Sequence, residues 1–214
     1  YRKILAAPYT LKKTLLNKIE REQAGHSDAT PGLIQFKMNA LEDVDITRAL
    51  YKAARAGVKV DLIVRDTCRM RAGIPGLSEN VRIISVVGRF LEHARIYFFH
   101  NGGNEEFYIG SADLMTRNLE SRVEVVAPVE DDKLRQELRL ILDVQLASKK
   151  HAWAMRPDGG YVPRAYQEEA DMSSQDTFVA LAQKRKTAAA KHRQSKLRAK
   201  LLTYFHKRAV DENL

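Results

Sequence analysis

The stretch Gly88–Pro128, GRFLEHARIYFFHNGGNEEFYIGSADLMTRNLESRVEVVAP, contains three short apolar segments separated by turn residues and polar side chains. Ala94–Phe99 and Phe107–Ile109 are rich in β-branched and aromatic residues, and the turn sequence HNGG between them predicts a β-hairpin. Arg122–Ala127 is predicted as a third strand. Apolar strands that carry charges on a single face are typical of a sheet that borders a polar cleft.

The turn that follows the second predicted strand is suited to anion binding. Gly110 lets the chain bend without a Cβ atom, and Ser111 or Asp113 is predicted to cap a short helix. The amino-terminal end of a helix attracts anions. Arg122 and Glu124 lie two residues apart in the third predicted strand, and they are therefore expected on one face of it.

These side chains predict one polar pocket that handles phosphate, because guanidinium groups grip phosphate oxygens and histidine exchanges protons near neutral pH. The candidates from this stretch are His93, Arg95, Ser111, Arg117, Asn118, Arg122 and Glu124. The alternative is that the histidine is a solvated turn residue and that the arginines lie on an ordinary surface. Arg65 is a further candidate, because it follows the apolar segment Val58–Val64 and open α/β sheets bind ligands at that end of their strands. An ion pair with Asp66 is the alternative for Arg65.

The first 90 residues alternate between strand and helix patterns. Apolar residues at helical spacing predict helices at Leu11–Gln23, which Thr10 is expected to cap, and at Ile46–Ala56. Strands are predicted at Ile4–Ala7, Leu33–Met38, Val58–Val64 and Asn80–Val87. Strands joined by helices are expected to be parallel neighbours with right-handed crossovers, so an α/β layer structure is predicted.

The chain continues with a predicted helix at Asp131–Leu146 and a predicted strand at Lys149–Arg156. The latter contains Trp153, which we interpret as a core residue. We predict three parts: a body over residues 1–165, a linker over residues 166–176 and a basic helical tail over residues 177–214.

Composition and charge limit the classes of protein that fit. The 214 residues are 44% hydrophobic, which suffices for an ordinary core, and there is no apolar run near 18 residues. The chain starts at Tyr1 without an initiating methionine, so a piece of a longer protein is expected. Cys68 cannot form an internal disulfide, and a cytoplasmic location is expected; a nucleophilic role for this thiol is considered and set aside.

The net charge of +9 is concentrated in the tail. Ten of the 36 Lys and Arg residues lie in Lys184–Arg208, where there is no Asp or Glu, so the body is close to neutral. The tail is predicted to be a solvated helix, to dock on another subunit or to bind a polyanion.

Longer strings of residues carry a resemblance to known families. A histidine two residues before a basic residue, followed by a hairpin, Gly-Ser-Ala and an isolated strand glutamate, resembles the half-site of the phospholipase D-like superfamily. Arg95 stands where most members have lysine. The strings GIPGLSENVR (Gly73–Arg82), FLEHARIYFFHNGG (Phe90–Gly103) and SADLMTRNLESRVEV (Ser111–Val125) resemble the C-terminal catalytic domain of the long polyphosphate kinases.

The resemblance implies a fold and an activity. The fold is a phospholipase D-like mixed β-sheet flanked by helices, here with a C-terminal helical extension. The activity is the reversible transfer of the terminal phosphate of ATP to polyphosphate through a phosphohistidine in the preceding domain. It requires Mg²⁺, whose ligands are expected outside this chain. The chain alone is therefore expected to be inactive.

The resemblance also implies roles for individual residues. His93 matches the second motif histidine, which assists the transfer, and Arg65 and Arg122 match arginines that contact the nucleotide phosphates. Glu124 is expected to orient the histidine. Supporting positions without an assigned role are Arg95, Ser111, Asp113, Arg117 and Asn118. Expected partners are ATP or ADP, polyphosphate, the preceding domains of the same polypeptide and further copies of the chain. Peripheral membrane association is a further expectation, and no specific nucleic acid is expected.

Two other functions stay open from the sequence. The first is a phospholipase D-like phosphodiesterase or nuclease in which His93 is the nucleophile and two copies pair. The second is a non-catalytic domain whose basic tail binds nucleic acid or polyphosphate.

Overall fold

The computed structural model describes residues 3–164, 172–187, 189 and 196. The chain divides into two compact units, residues 1–174 and residues 175–214. The first unit contains the sheet and the candidate site. Residues 174–187 are helical, so this helix begins earlier than the predicted residue 177. Most of the predicted linker and most of the predicted tail lie outside the described residues.

Within the described residues, nine strands form one mixed sheet in the order β1-β7-β6-β5-β2-β3-β4-β8-β9. In chain order, the strands are β1 (Leu5–Ala7), β2 (Leu33–Met38), β3 (Lys59–Val64), β4 (Val81–Val86), β5 (Ile96–Phe99), β6 (Glu106–Gly110), β7 (Glu124–Val129), β8 (Ala152–Met155) and β9 (Tyr161–Pro163). β2, β3 and β4 are parallel neighbours, and the other paired strands are antiparallel. The predicted α/β class with a mixed sheet is confirmed.

One part of the predicted topology is wrong. β1 was expected beside the next strand of the chain, but it lies at the edge of the sheet and pairs antiparallel with β7. A strand of three residues has too little pattern to reveal its partner, which follows more than a hundred residues later. β9 was not predicted, and the strand expected to begin at Arg122 begins instead at Glu124.

The helices lie on both faces of the sheet. Within residues 3–164 they are α1 (Leu11–Ala24), α2 (Val44–Arg55), α3 (Thr116–Glu120) and α4 (Asp132–Ala147), and a 3-10 turn (Asn101–Gly103) closes the predicted hairpin. α1 and α2 cover one face of the sheet, where Phe36 packs edge-on against Tyr97 and Phe99 at centroid distances of 5.1 and 5.4 Å. α4 covers the other face, where its Leu142 packs in a second apolar cluster. In the described part of the chain, no helix is long and apolar enough to cross a bilayer.

Two predicted helix caps are wrong because other partners take their side chains. The Oγ1 of Thr10 accepts the N–H of Ala6, so this side chain does not cap α1. α3 begins after Met115 without a side-chain cap, and neither Ser111 nor Asp113 caps it. α2 begins earlier than predicted because the Asp43 carboxylate accepts two backbone N–H groups of its first turn.

Polar side chains alternate with apolar ones along β2. Gln35 accepts a hydrogen bond from Arg139 of α4 and donates one to Asp61 of β3, which is fully buried. The Arg139 guanidinium lies 3.9 Å from the centroid of the Phe98 ring. A polar layer therefore runs between the sheet and α4.

The backbone of β7 closely approaches Gly110, the last residue of β6. An added Cβ would lie 2.3 Å from the carbonyl oxygen of Val125 and 2.7 Å from Cγ2 of Val126. Because backbone cannot retreat as a flexible side chain does, Gly110→Ala should lower the free energy of unfolding by about 1–3 kcal/mol in denaturant titrations. Gly25→Ala is the control, because its Cβ would lie 3.4 Å from the nearest atom. Equal stabilities of the two variants would contradict the close approach of β6 and β7.

Candidate active site

The predicted site residues lie together at one end of the strands of the sheet. β3 ends just before Arg65, β6 ends just before Ser111, and β7 begins at Glu124. His93 lies in the loop of residues 87–95, which leads into the start of β5. The parallel strands β2, β3 and β4 have their carboxyl ends on this side of the sheet. The residues therefore lie at the end of the strands where the sequence analysis predicted them.

The central ion pair at this end of the strands joins Arg95 and Asp113. Nε and Nη2 of Arg95 donate to the two carboxylate oxygens of Asp113 at 3.2 and 2.7 Å. Asp113, which is only 7% exposed, also accepts the backbone N–H of Asn39 at 2.7 Å and its side-chain amide at 3.1 Å. This one carboxylate therefore ties together the end of β2, the start of β5 and the turn after β6. Asp113 is unavailable as a helix cap because these partners use its oxygens.

The hydrogen bonds to Asp113 change its protonation. Burial alone would raise the pKa of this carboxyl group, but hydrogen bonds from Arg95 and Asn39 outweigh burial and hold the pKa below its ordinary value. Asp113 is therefore an anion at neutral pH.

The same guanidinium group fixes the ring of His93. Nη1 of Arg95 contacts Nδ1 of His93 at 2.9 Å and donates to the His93 carbonyl oxygen at 2.7 Å. Arginine has no hydrogen-bond acceptor and stays protonated, so Nδ1 must be the accepting nitrogen. In the neutral ring the proton then lies on Nε2. His93 is solvent-exposed, and its Nε2–H is a hydrogen-bond donor at the edge of the sheet.

A second cluster forms around Glu124, which is 8% exposed. Its carboxylate accepts a short hydrogen bond from the Ser111 hydroxyl and another from the Asn118 side-chain amide at 2.8 Å. Nη1 of Arg122 lies 4.0 Å from the same carboxylate. Glu124 thus holds Ser111, Asn118 and Arg122 together, whereas the orienting contact on the ring of His93 comes from Arg95.

The remaining predicted arginines differ in how they are held. Nη1 of Arg65 donates to the main-chain carbonyl of Glu92 at 2.8 Å, so this arginine is anchored beside His93 rather than on Asp66. Arg122 is half exposed. Arg117 is exposed on α3, and its carbonyl oxygen accepts the backbone N–H of Arg122. The structure therefore links Arg65 to the histidine loop and Arg122 to the Glu124 cluster.

Sequence reasoning missed three residues of this region. Nζ of Lys37 lies 3.0 Å from the Glu92 carboxylate, and the side-chain amide of Gln145 donates to the same carboxylate oxygen at 3.0 Å. Burial lowers the pKa of Lys37, although Glu92 acts to raise it. The available signal was a lysine near the end of an apolar strand, directly before the sheet edge.

A cavity of about 280 Å³ adjoins Arg65. It is lined by Arg65, Asp66, Ser85, Val87, Trp153 and Tyr161. Trp153 is therefore only partly buried and lines this cavity, which corrects its interpretation as a core residue. Burial raises the pKa of the nearby Cys68 thiol to about 11, so this cysteine is not a reactive thiolate.

Asp113→Asn tests the central ion pair. The variant should lower the free energy of unfolding by about 1–3 kcal/mol at neutral pH, because a buried guanidinium loses its carboxylate. The lowered pKa of Asp113 makes its stabilisation present above the ordinary aspartate pKa and lost as pH falls through the folded-state value. The stability gap to the parent chain should therefore shrink below about pH 4.

Denaturant titrations between about pH 2 and pH 7 measure this gap. Asp28→Asn is the matched control, because Asp28 is exposed in a loop. A gap for Asp113→Asn that stays constant across the pH range would show that its ionisation does not support the fold.

Comparisons with known proteins show the family and the fold of the chain. Residues 4–175 match the family model for the polyphosphate kinase C-terminal domain 2. The chain is 51% identical over 183 residues to the polyphosphate kinase of Synechocystis sp., which covers 85% of this chain and 25% of that protein. The crystal structure of polyphosphate kinase from Porphyromonas gingivalis matches with a TM-score of 0.81 and 37% identity, over 86% of this chain and 28% of that chain.

The fold extends to a more distant protein. Nuc from Salmonella typhimurium, a phospholipase D family member, matches with a TM-score of 0.53 over 72% of this chain and 97% of that chain. At 15% identity this similarity concerns the fold alone, and it confirms the predicted phospholipase D-like mixed sheet. The chain spans about a quarter of the length of the curated relatives that it matches. With the family match over nearly all of the first unit and this level of identity, the chain belongs to the polyphosphate kinase C-terminal domain 2 family.

Proposed function

We propose that this chain is the C-terminal catalytic half-site of a polyphosphate kinase, which reversibly transfers the terminal phosphate of ATP to polyphosphate. The observation that carries the proposal is the contact of Arg95 with Nδ1 of His93. This contact gives the histidine a donating Nε2–H beside arginines suited to phosphate. The preceding domains of the same polypeptide supply the phosphohistidine.

The tautomer of His93 determines its role in the proposed reaction. A nucleophilic imidazole attacks phosphorus with a free lone pair, but in the neutral ring Nε2 carries the proton and Nδ1 faces Arg95. His93 therefore donates a hydrogen bond or a proton to an oxygen of the transferring phosphoryl group. The same reasoning weighs against the phosphodiesterase alternative, in which this histidine would be the nucleophile.

The arginines supply charge stabilisation. Phosphoryl transfer spreads negative charge over the equatorial oxygens, and preorganised guanidinium groups stabilise that charge. Arg65 uses Nη1 to hold the Glu92 carbonyl, which fixes its guanidinium group beside the histidine loop. Each charge-assisted contact to phosphate contributes about 1.5–3 kcal/mol. Arg122 acts from the Glu124 side of the site.

Ser111 has a structural role in this proposal. Its hydroxyl donates to Glu124 and accepts the backbone N–H of Val125 at 3.2 Å, so both its proton and a lone pair are engaged. Together with Asn118 it holds the Glu124 carboxylate, which leaves that carboxylate poorly placed to act as a base.

The proposal includes Mg²⁺ that binds together with the nucleotide. Within the described ranges there is no group of three or more His, Cys, Asp or Glu side chains that could hold a metal ion. The carboxylates nearest the site are already engaged by cations or hydrogen-bond donors. The described residues therefore do not fit a magnesium site. Homo-oligomers, a cytoplasmic location and polyanion binding by the tail are further parts of the proposal.

The first test uses the full-length parent enzyme. His93→Ala should lower the rate of polyphosphate synthesis from ATP by about 100-fold or more, because it removes a proton-donating group. His151→Asn is the control, because His151 is exposed and has a positive φ of 56° that asparagine tolerates. Synthesis at the parent rate in His93→Ala would overturn the proposed role of this histidine.

The second test uses this chain alone. Incubation with γ-labelled ATP and Mg²⁺ should give no acid-labile, alkali-stable phosphate on the chain, because its site histidine lacks a free nucleophilic nitrogen. The full-length parent, which contains the preceding domains, serves as the positive control. Stable phosphohistidine on this chain, mapped by mass spectrometry to residue 93, would place the phosphoacceptor here and refute the division of roles.

A further inference from the structure

The partly buried carboxylate of Glu92, whose side chain is 15% exposed, lies next to His93 in the chain and is held from two elements. Glu92 contacts Lys37 of β2 and Gln145 of α4, each at 3.0 Å. Lys37 is 3% exposed and Gln145 is fully buried. We infer that these three residues, the polar clamp, position His93 and Arg65 for the phosphoryl transfer proposed above, on which the inference rests.

The clamp acts through a loop that has little apolar anchoring at its centre. Residues 87–95 contain no strand or helix, and the side chains of Val87, Phe90 and Leu91 are 52%, 51% and 77% exposed. In contrast, the side chain of Glu92 reaches the polar layer between the sheet and α4. Because His93 is the next residue, the position of Glu92 sets where the imidazole can lie.

Glu92 also fixes the arginine of the site. Its side chain binds the clamp while its main-chain carbonyl accepts Nη1 of Arg65 at 2.8 Å. A shift of Glu92 therefore moves the proton donor and a phosphate-binding arginine together. The positive charges of Arg65 and Arg95 also act to lower the pKa of Lys37, so the clamp and the site are electrostatically coupled.

Stability alone does not account for an ion pair at this place. The surroundings of Lys37 on that face include the apolar residues Ile63 and Ile96 of the neighbouring strands. Replacing a buried ion pair by apolar residues of similar volume often leaves protein stability unchanged or raises it. Removing only one partner lowers stability, because it leaves a buried charge without a counter-charge. The lowered pKa of Lys37 agrees with a net cost of burying its charge. An ion pair that is kept at such a cost in stability is suited to holding neighbouring residues in fixed positions.

The double variant Lys37→Met with Glu92→Gln in the full-length parent tests the inference. It removes both charges together, so thermal unfolding should stay close to that of the parent or rise. The kcat for polyphosphate synthesis should nevertheless fall about 10- to 100-fold, because small misplacements of catalytic groups cost that much. The KM for ATP should rise as kcat falls, because Arg65 moves together with His93, whereas a defect that only reduces the amount of active enzyme leaves KM unchanged.

The matched control is an ion pair at the first residue of β6, at the end of that strand opposite to Gly110. Nζ of Lys18 pairs with Glu106 at 2.9 Å, and both side chains are partly buried. Glu106 also accepts two hydrogen bonds from Arg21, so Lys18→Met with Glu106→Gln removes a lysine–glutamate pair and additionally leaves Arg21 without its carboxylate. Because these residues lie far from the histidine loop, the kcat of this variant should remain that of the parent. Glu92→Asp keeps the charge but shortens the side chain by one methylene group, so its kcat should also fall.

Several outcomes separate the two proposals. Parent kcat in the folded Lys37→Met, Glu92→Gln variant, while His93→Ala is inactive, overturns the clamp and leaves the proposed function standing. Activity in His93→Ala instead overturns the proposed function. If the double variant does not fold, Gln145→Met decides, because it removes one contact and leaves the ion pair. An unchanged kcat in Gln145→Met with parent stability then counts against the clamp, and a severalfold loss supports it.

Discussion

The bidentate pair between Arg95 and Asp113 is the constraint on which the candidate site depends. It joins three strand ends through a single carboxylate, and its third guanidinium nitrogen reaches the ring of His93. Lysine carries a point charge without a planar fork, so it could not make these contacts at once. Arg95 is therefore the residue that orients the ring of His93, with Nδ1 as the accepting nitrogen.

The fold was predictable where local pattern decides it. The hairpin at β5 and β6, the parallel β2 and β3 and the helices α1, α2 and α4 follow from periodicity and turn residues. The pattern failed where a distant partner decides. β1 pairs with β7 across most of the unit, and the Thr10 hydroxyl turns to the N–H of Ala6 instead of capping α1.

In the candidate site too, the residue types were predictable from the sequence, but their hydrogen-bond partners were not. Strand ends and residue types identified the arginines and His93, but Ser111 and Asp113 were predicted as helix caps. Their oxygens are used instead by Glu124 and by Arg95 with Asn39, because tertiary donors and acceptors outcompete a short helix of five residues. Lys37 was overlooked because strand alternation suggests a solvent-facing lysine, and sequence does not reveal that α4 covers that face.

Hydrogen bonds from neighbouring side chains engage the carboxylates of the described site. Glu92, Asp113 and Glu124 all accept hydrogen bonds from neighbours, and the Ser111 proton is engaged. In the proposed reaction, the groups that face an incoming phosphate are then hydrogen-bond donors: the arginines and the Nε2–H that the His93 ring carries when Nδ1 accepts from Arg95. Donors stabilise a phosphoryl group in transit but do not accept it covalently. A surface built in this way suits one half of a two-part active site, with the nucleophile supplied from the other half.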